Sequence, residues 1–599
     1  MDAINQIKKK IEENISYVLE AGAGSGKTYA LIQTINYLIE TKGEKIQLNN
    51  QRIVCITYTN VAKNEIIERL QNNPLVLVST IHEFLWDCIK PYNKQLLIEF
   101  DKINTINNKK EPNKYELGLI DRIKSVEYSD RRFSDFENGK IGHDDLIRLS
   151  LKMLENNKLL TTILASKFPY ILVDEYQDTA PETIQSLVDF LLTRNEEKII
   201  IGFYGDSHQK IYNTGIGSLD EYITSKKITL ITKPENYRSS HNVIKLLNKI
   251  RTNIKQKTPK GIEKNQGSVQ FINCTNYTEK GKKQKVKEYE DSLVPLKNAN
   301  YDSIISTLKK KGWDFSKNSE DKILIIANSR VARRGGFGDL YTTYVRRYGQ
   351  GANEALLKRE NPITAFFVGS MDKKTSIERK TGIEHLVSFY ENKNYNDIIH
   401  FLKRNDDTSV NLRKHEDKKI ITDKIEELIK IRGTKKVKDV FDFLINNKLI
   451  KLSQGMLKFI ERIKTNTEGV DEDTKKRVEK DIKFNTALME LPYMEFINLF
   501  KHTQNQNVFS TKHGTKGEEY RNVLVVIDDT SWKSQYKFEG YFDNSDSSSE
   551  RKERTKNLFY VSCSRAKENL VILALSKMGE QAMKQIEVWF GSENIKQIE

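Results

Sequence analysis

The chain is expected to fold as an α/β protein with parallel sheets, interrupted by long helical insertions. Three observations predict this. Apolar strand-like segments alternate with amphipathic helical stretches through the N-terminal third. A Gly-rich segment joins one such strand to a helix-like run. Two long, polar, helix-patterned stretches separate strands of similar character. At 599 residues the chain is too long for one compact unit, so several domains are expected.

The strand candidates come in order. Ser16–Glu20, Ile53–Thr57, Tyr170–Val173 and Lys198–Tyr204 form a first set; Ile323–Ala327, Val523–Ile527 and Leu570–Leu575 form a second. Between Trp86 and Lys167, and again from about Asn353 to Phe500, the pattern turns polar and helical. Lys280–Lys287 is a basic run that reads as solvated surface. Arg333–Gly338 reads as a loop, without the strand–helix context of a dinucleotide site.

Composition narrows the function. Lys and Arg number 98 against 82 Asp and Glu, a surplus of +16 that favours polyanionic partners. No apolar run is long enough for a membrane helix, and the first residues lack a secretory pattern. Cys55, Cys88, Cys274 and Cys563 have no metal-ribbon spacing, so a reducing, cytoplasmic setting is expected. The histidines show no metal-binding pair one helical turn apart.

The strongest signal is Ala21-Gly22-Ala23-Gly24-Ser25-Gly26-Lys27-Thr28, between an apolar strand and the helix-like run Tyr29–Leu38. Small residues let backbone N–H groups curl around phosphate oxygens, and the helix N-terminus adds its dipole. Lys27 is expected on the β- and γ-phosphates of ATP and Thr28 on Mg²⁺. A second apolar run ends in Asp174-Glu175. Two carboxylates at a buried strand end are costly without a function. Asp174 is expected to hold Mg²⁺ and Glu175 to polarise the attacking water. These two segments alone leave open a kinase, a GTPase or a motor.

The remaining motifs resemble those of the UvrD/PcrA/Rep-type superfamily 1 helicases, in the same order along the chain. Gln6 matches the adenine-reading glutamine, and Asp174–Thr179 the Walker B motif. Ile56–Asn60 is similar to motif Ia, and Ser79–His82 to the DNA-contact motif after it. Ile141–Leu146 is similar to a segment the family carries before Walker B. Gly205–Tyr212, Asn236–Ser239, Thr511–Tyr520 and Phe559–Ala566 resemble motifs III to VI. The resemblance implies two RecA-like P-loop domains with inserted helical subdomains. The first would span residues 1–85 and 166–235, with an insertion at 86–165. The second would span 236–350 and 501–599, with an insertion at 351–500.

The resemblance also implies roles. Gln209 would sense the γ-phosphate, and Arg238 and Arg565 would reach it from the second domain. Tyr237 would stack on adenine and Glu519 contact ribose. Tyr58, Thr59, Asn60, His82 and His513 would face DNA. One departure stands out. Thr214 and Gly215 occupy the positions where the family carries a base-stacking Trp-Arg pair. Lys567–Glu599 reads as a tail too short for a fused nuclease domain, so cutting would need a partner. The implied activity is an ATP-driven 3′-to-5′ motor on single-stranded or partly duplex DNA, in DNA repair or anti-phage defence. The alternative is a DNA-dependent ATPase subunit that controls a partner nuclease. Ile325–Arg333 and the reduced insertions resemble Gabija-type helicase subunits, which sit beside an OLD-family nuclease.

Overall fold

The structure is a computed structural model that describes residues 2–112, 115–129, 134–210, 215–316, 319–325, 328–371, 378–403, 415–447, 449–450, 452–464, 472–504, 509–510, 518–530 and 535–599. It divides into two compact units. One comprises Met1–Lys297, Gly517–Val523 and Asp528–Glu599; the other comprises Asn298–Lys516 and Leu524–Ile527.

A six-stranded parallel sheet organises the first unit. Its order is Val76–Thr80, Ile53–Thr57, Tyr170–Asp174, Ile200–Gly205, Tyr17–Ala21, Thr229–Lys233. The inner strands Tyr17–Ala21 and Ile53–Thr57 are buried at every residue, as a sheet covered on both faces requires. Alternate residues feed different layers. Val54, Ile56, Ile171 and Val173 join one apolar cluster, while Ile53, Cys55 and Leu172 join another. Burying each such side chain fully stabilises the fold by roughly 1.5–3 kcal/mol. The two edge strands, Val76–Thr80 and Thr229–Lys233, carry half-exposed residues, and in Thr229–Lys233 the interleaved polar side chains leave only a faint apolar signature in sequence.

The stretch after Trp86 folds into helices Asn93–Lys110, His143–Asn156 and Lys158–Lys167, plus the short strand pair Glu127–Tyr128 and Lys140–Ile141. Phe100, Leu149 and Met153 of these helices share one core with the sheet. In the same unit Ser268–Cys274 lies in parallel between Ala566–Ala574 and Ile595–Ile598. The expected strand Leu570–Leu575 lies within Ala566–Ala574, and the helix Glu580–Phe590 and the edge strand Ile595–Ile598 follow it, so the stretch expected as a tail is part of the fold.

The second unit is mostly helical, from Gly338–Tyr348 through Met494–Thr503. Tyr344, Phe367, Leu386 and Phe496 lie at the centre of its core. Buried Glu384 is held by Arg432 at 2.5 Å and by the Tyr493 hydroxyl at 3.0 Å. Lys322–Ile325 pairs in parallel with Phe509–Ser510. Arg333 and Arg334 end the helix Asn328–Arg334 that follows this strand, a correction to the loop expected there. Among the described residues no helix is long and apolar enough to cross a membrane. The four cysteines are buried and unbridged.

Candidate nucleotide and nucleic-acid site

All six strands of the first sheet run the same way, so their C-terminal ends share one edge. Open parallel sheets bind ligands at that edge. The chemistry-bearing segments all emerge there: Tyr58 after Ile53–Thr57, His82 after Val76–Thr80, Asp174 and Glu175, Asp206, and the Gly-rich loop.

The loop after Tyr17–Ala21 turns into the helix Lys27–Leu48 through Gly26, whose φ is +78°. Gly24 has φ +72°, and a Cβ there would fall 2.6 Å from Arg238 Cβ and 2.8 Å from Asn236 Oδ1. Only glycine permits this backbone and this approach. The loop is braced from later in the chain. The Ala23 N–H donates to the Tyr560 hydroxyl at 3.2 Å, Gln256 Nε2 donates to the Ala23 carbonyl at 2.8 Å, and the Tyr237 N–H donates to the Gly24 carbonyl at 2.8 Å. Ser25 is 1% exposed and its hydroxyl lacks a hydrogen-bond partner among the described residues. A buried orphan hydroxyl in a loop of this shape fits a triphosphate oxygen. Gln6 lies half-buried in the helix Ala3–Glu12, which packs Ala3, Ile7 and Ile11 into the core beneath Leu31.

Asp174 ends its strand buried at 7% exposure, with Oδ1 accepting the Glu175 N–H at 3.1 Å. With Thr28 it offers the hard oxygen donors that suit Mg²⁺. Glu175 adopts φ +51°, a left-handed conformation that costs of order 1–3 kcal/mol for a non-glycine residue. Gln177 helps to fix it, donating from Nε2 to Glu175 Oε2 at 2.5 Å while its Oε1 accepts the Asp206 N–H at 3.1 Å.

The two arginines converge on this edge. Arg565 is 2% exposed and donates to Gln209 Oε1 at 2.9 Å and to the carbonyls of Val561 and Glu518, both at 3.2 Å. Burial and the nearby Arg238 charge push its pKa down to about 10, so it stays cationic at neutral pH. Arg238 is aimed by Asn236, whose Oδ1 accepts the N–H groups of Arg238 and Ser239 at 2.9 Å each. Its guanidinium donates to Glu519 Oε2 at 2.6 Å and to the Ser564 carbonyl at 3.1 Å. Partial burial works the other way, but Arg238 and Lys567 hold the Glu519 carboxyl below its ordinary value. Tyr237 is 47% exposed, with Lys233 Nζ 5.3 Å from its ring centre.

A buried ionic cluster stands behind Gln209, and the sequence reasoning missed it. Arg251, 1% exposed, bridges Asp206 Oδ1 at 2.7 Å and Glu20 Oε1 at 2.9 Å. Glu20 also accepts from the Tyr176 hydroxyl at 2.5 Å and from the Ser207 N–H and hydroxyl at 2.9 and 2.6 Å. Asp206 Oδ2 accepts from Gln209 Nε2 at 2.7 Å. Glu20, Asp206 and His208 sit close enough together to suggest a metal site, but the guanidinium already bridges the two carboxylates. The one available signal was Glu20 itself, a charge at the end of an otherwise apolar strand.

On the other half of the edge, Thr59 caps the helix Asn60–Arg69 by accepting the Ala62 N–H at 3.2 Å, and Tyr58 is 36% exposed beside it. His82 lies half-buried with its ring centre 4.5 Å from that of His143, and His143 Nδ1 is 2.7 Å from the Tyr128 hydroxyl. Burial and His143 push His82 down to about 4, so the ring is neutral. The structure thus joins His82 to the His143 segment, a pairing not foreseen from sequence. Gly215 packs against the chain after Glu175. A Cβ there would fall 2.3 Å from the Gln177 carbonyl oxygen and 2.7 Å from Asp178 Cα. His513 and Thr214 lie outside the described residues.

Comparisons with known proteins agree with this geometry. An AAA domain family model matches residues 4–215. The chain is 27% identical to the Gabija protein GajB of Bacillus cereus (strain HuB5-5), over 95% of this chain and 94% of that one. It is 22% identical to the ATP-dependent DNA helicase PcrA of Staphylococcus aureus strain Mu50, over 94% of this chain and 81% of that one. The PcrA of Staphylococcus epidermidis is 23% identical over 93% and 80%. Gly-rich loop, paired carboxylates and late arginines thus meet at one sheet edge in a chain matched along nearly its whole length, and the chain is similar to PcrA-type DNA helicases and to the Gabija protein GajB.

Proposed function

We propose that this chain is an ATP-dependent DNA helicase or translocase that hydrolyses ATP in response to single-stranded DNA and moves 3′ to 5′. The observation that carries the reading is the Arg565–Gln209 contact at 2.9 Å, 356 positions apart in sequence, inside the unit that also holds the Gly-rich loop. The loop from Ala21 to Thr28 would cradle the triphosphate, with Lys27 on its outer phosphates, Tyr237 against the base, Glu519 near the ribose and Gln6 reading adenine. Thr28 and Asp174 would hold Mg²⁺, which when bound supplies charge neutralisation between the phosphates. Glu175 orients and deprotonates the attacking water, and its strained backbone aims the carboxylate. Gln209, Arg238 and Arg565 stabilise the negative charge that spreads over the transferred phosphoryl group. Both arginines follow the first sheet in sequence, so small movements of the later segments would switch hydrolysis on and off.

DNA would cross the other half of the edge, along Tyr58, Thr59, Asn60 and His82; His513, outside the described residues, is assigned to DNA on its motif alone. An aromatic face stacks a base for ~1–3 kcal/mol whatever the sequence. The domain division proposed from the motifs, residues 1–85 with 166–235 and 236–350 with 501–599 plus insertions at 86–165 and 351–500, belongs to the same reading. So does a cytoplasmic role in DNA repair or anti-phage defence.

A specific observation favours a second reading, a DNA-dependent ATPase that controls a nuclease partner. Gly215 leaves no room for any side chain where the family carries its arginine. The similarity to a Gabija protein points the same way, toward a partner such as an OLD-family nuclease. One experiment tests both readings: ATPase turnover with and without a single-stranded oligonucleotide, beside strand displacement, for the wild type and Lys27→Ala. DNA-stimulated turnover abolished by Lys27→Ala supports the assignment. Strong displacement by the isolated chain favours the motor; stimulation without displacement favours the regulator. Turnover that ignores DNA, or survives Lys27→Ala, refutes both.

A further inference from the structure

We propose that Gln256 is a positioning residue for nucleotide binding, whose side-chain amide fixes the Ala23–Gly24 peptide and so leaves the Gly24 N–H for a phosphate oxygen. The inference rests on the ATP-binding reading above and assigns a residue outside every motif. Gln256 is 5% exposed and follows the helix His241–Ile250. Its backbone is clamped from that helix. The Gln256 N–H donates to Asn248 Oδ1 at 2.6 Å, and Asn248 Nδ2 donates to the Gln256 carbonyl at 2.8 Å. The side chain then lies over Gly22, where a Cβ would fall 2.2 Å from Gln256 Nε2. Gly22 lies outside the left-handed region, so glycine there answers to space rather than to backbone conformation.

The amide can face only one way. Asn236 Oδ1 already accepts the N–H groups of Arg238 and Ser239, so Nδ2 is the group that Asn236 turns toward Gln256, 3.4 Å from Oε1. Gln256 Nε2 is thereby left to donate to the Ala23 carbonyl at 2.8 Å. A turned amide would set oxygen against oxygen at Ala23 and nitrogen against nitrogen at Asn236.

Across a trans peptide the C=O and N–H point in opposite directions. Holding the Ala23 carbonyl on Gln256 therefore aims the Gly24 N–H away from Gln256. Among the described residues that N–H has no acceptor, while the peptides on either side are committed. The Ala23 N–H donates to the Tyr560 hydroxyl at 3.2 Å, and the Gly24 carbonyl accepts the Tyr237 N–H at 2.8 Å. Glycine tolerates φ of either sign, so the peptide before Gly24 can turn over once its carbonyl is released. Ala23 is 2% exposed, and a buried carbonyl left without a donor is costly, which drives that turn. The Gly24 N–H then faces the other way, and the phosphates lose one donor.

The test is equilibrium binding of a fluorescent ATP analogue to the full chain, and its displacement by inorganic tripolyphosphate, which offers phosphates without a base. Gln256→Met keeps the length of the side chain and carries no donor. Its affinities for both ligands should fall together, about tenfold, the loss expected for one hydrogen bond to a charged group. Partial unfolding would instead lower the number of sites and leave the affinities alone. A cycle of Gly22→Ala, Gln256→Ala and the pair keeps the proposal testable if the methionine variant does not fold. The methyl of Gly22→Ala must push the Gln256 amide off Ala23, so each single variant should lose about tenfold and the pair no more than either one. A folded Gln256→Met that binds both ligands as the wild type does overturns the proposal, as does a loss confined to the ATP analogue. A pair that regains wild-type affinity overturns it too, since Gln256 would then only fill space. So does a pair whose losses multiply, since the methyl would then act on the loop itself. A wild type that binds neither ligand would instead sink the ATP-binding reading on which the proposal rests.

Discussion

Replacing Gly215 by alanine should damage both stability and turnover. The added Cβ would sit 2.3 Å from the Gln177 carbonyl oxygen and 2.7 Å from Asp178 Cα. Both are backbone atoms, so no flexible side chain can swing clear. That backbone is pinned on several sides. The Asp178 N–H donates to the Glu175 carbonyl at 3.1 Å, the Ile216 N–H to the Thr179 carbonyl at 2.8 Å, and the Gly217 N–H to the Gln177 carbonyl at 3.0 Å. Overpacking of this kind costs about 1–3 kcal/mol. Any relief must move Gln177, whose side chain holds Glu175 on one side and Asp206 on the other. Turnover should therefore fall about tenfold or more, since an active-site shift near 1 Å can cost up to a hundredfold. Chemical denaturation and DNA-stimulated ATPase measure the two effects. Gly215→Arg, which supplies the side chain common in the family, should do at least as much harm. A Gly215→Arg protein that keeps its stability and unwinds DNA better than the wild type would refute the reasoning.

Three further outcomes follow from the same geometry. Tyr237→Ala should raise KM for ATP about threefold to tenfold with kcat little changed, as expected for losing one stacking contact of ~0.5–1.5 kcal/mol. Acid should destabilise the fold in a defined window. Burial is the first cause that pushes His82, His208, His385 and His502 each down to about 4, from the 6.5 of an exposed ring. Between those values the unfolded chain binds more protons than the folded one, so stability falls as pH drops from 6.5 toward 4, by up to about 1.4 kcal/mol per pH unit for each histidine. Urea denaturation at pH 7.5, 6 and 5 reads this, and a midpoint that does not fall with pH would contradict it. His82→Leu should weaken that acid dependence while lowering the affinity for oligo(dT) in a fluorescence-anisotropy titration.

Much of the site was legible because each part is a contiguous run at a strand end. The Gly-rich loop, Asp174-Glu175 and Asn236-Tyr237-Arg238 carry their chemistry within a few residues, and the apolar strands before the first two place them on one edge. The inner strands were legible too, since a strand buried on both faces is apolar throughout. Edge strands such as Thr229–Lys233 face solvent in part and lose that signature. The Glu20–Arg251 pair was hidden for another reason. Its members are 231 positions apart, and a lone arginine after an amphipathic helix reads as surface until the fold buries it. Gln256, which braces the Gly-rich loop, was hidden in the same way. After Ala566 the strand at Leu570–Leu575 is legible as an apolar run, whereas the last strand, Ile595–Ile598, has only four residues with two exposed polar ones at its centre and leaves no such signature.

Single-turnover ATP hydrolysis by Arg565→Ala, in the presence of single-stranded DNA, probes most directly whether late-chain guanidinium groups work on a triphosphate held by the early loop. The variant should bind a fluorescent ATP analogue with nearly wild-type affinity and hydrolyse ATP about a thousandfold more slowly, the scale on which catalytic arginines act in phosphoryl transfer. Hydrolysis within tenfold of the wild-type rate would contradict the account.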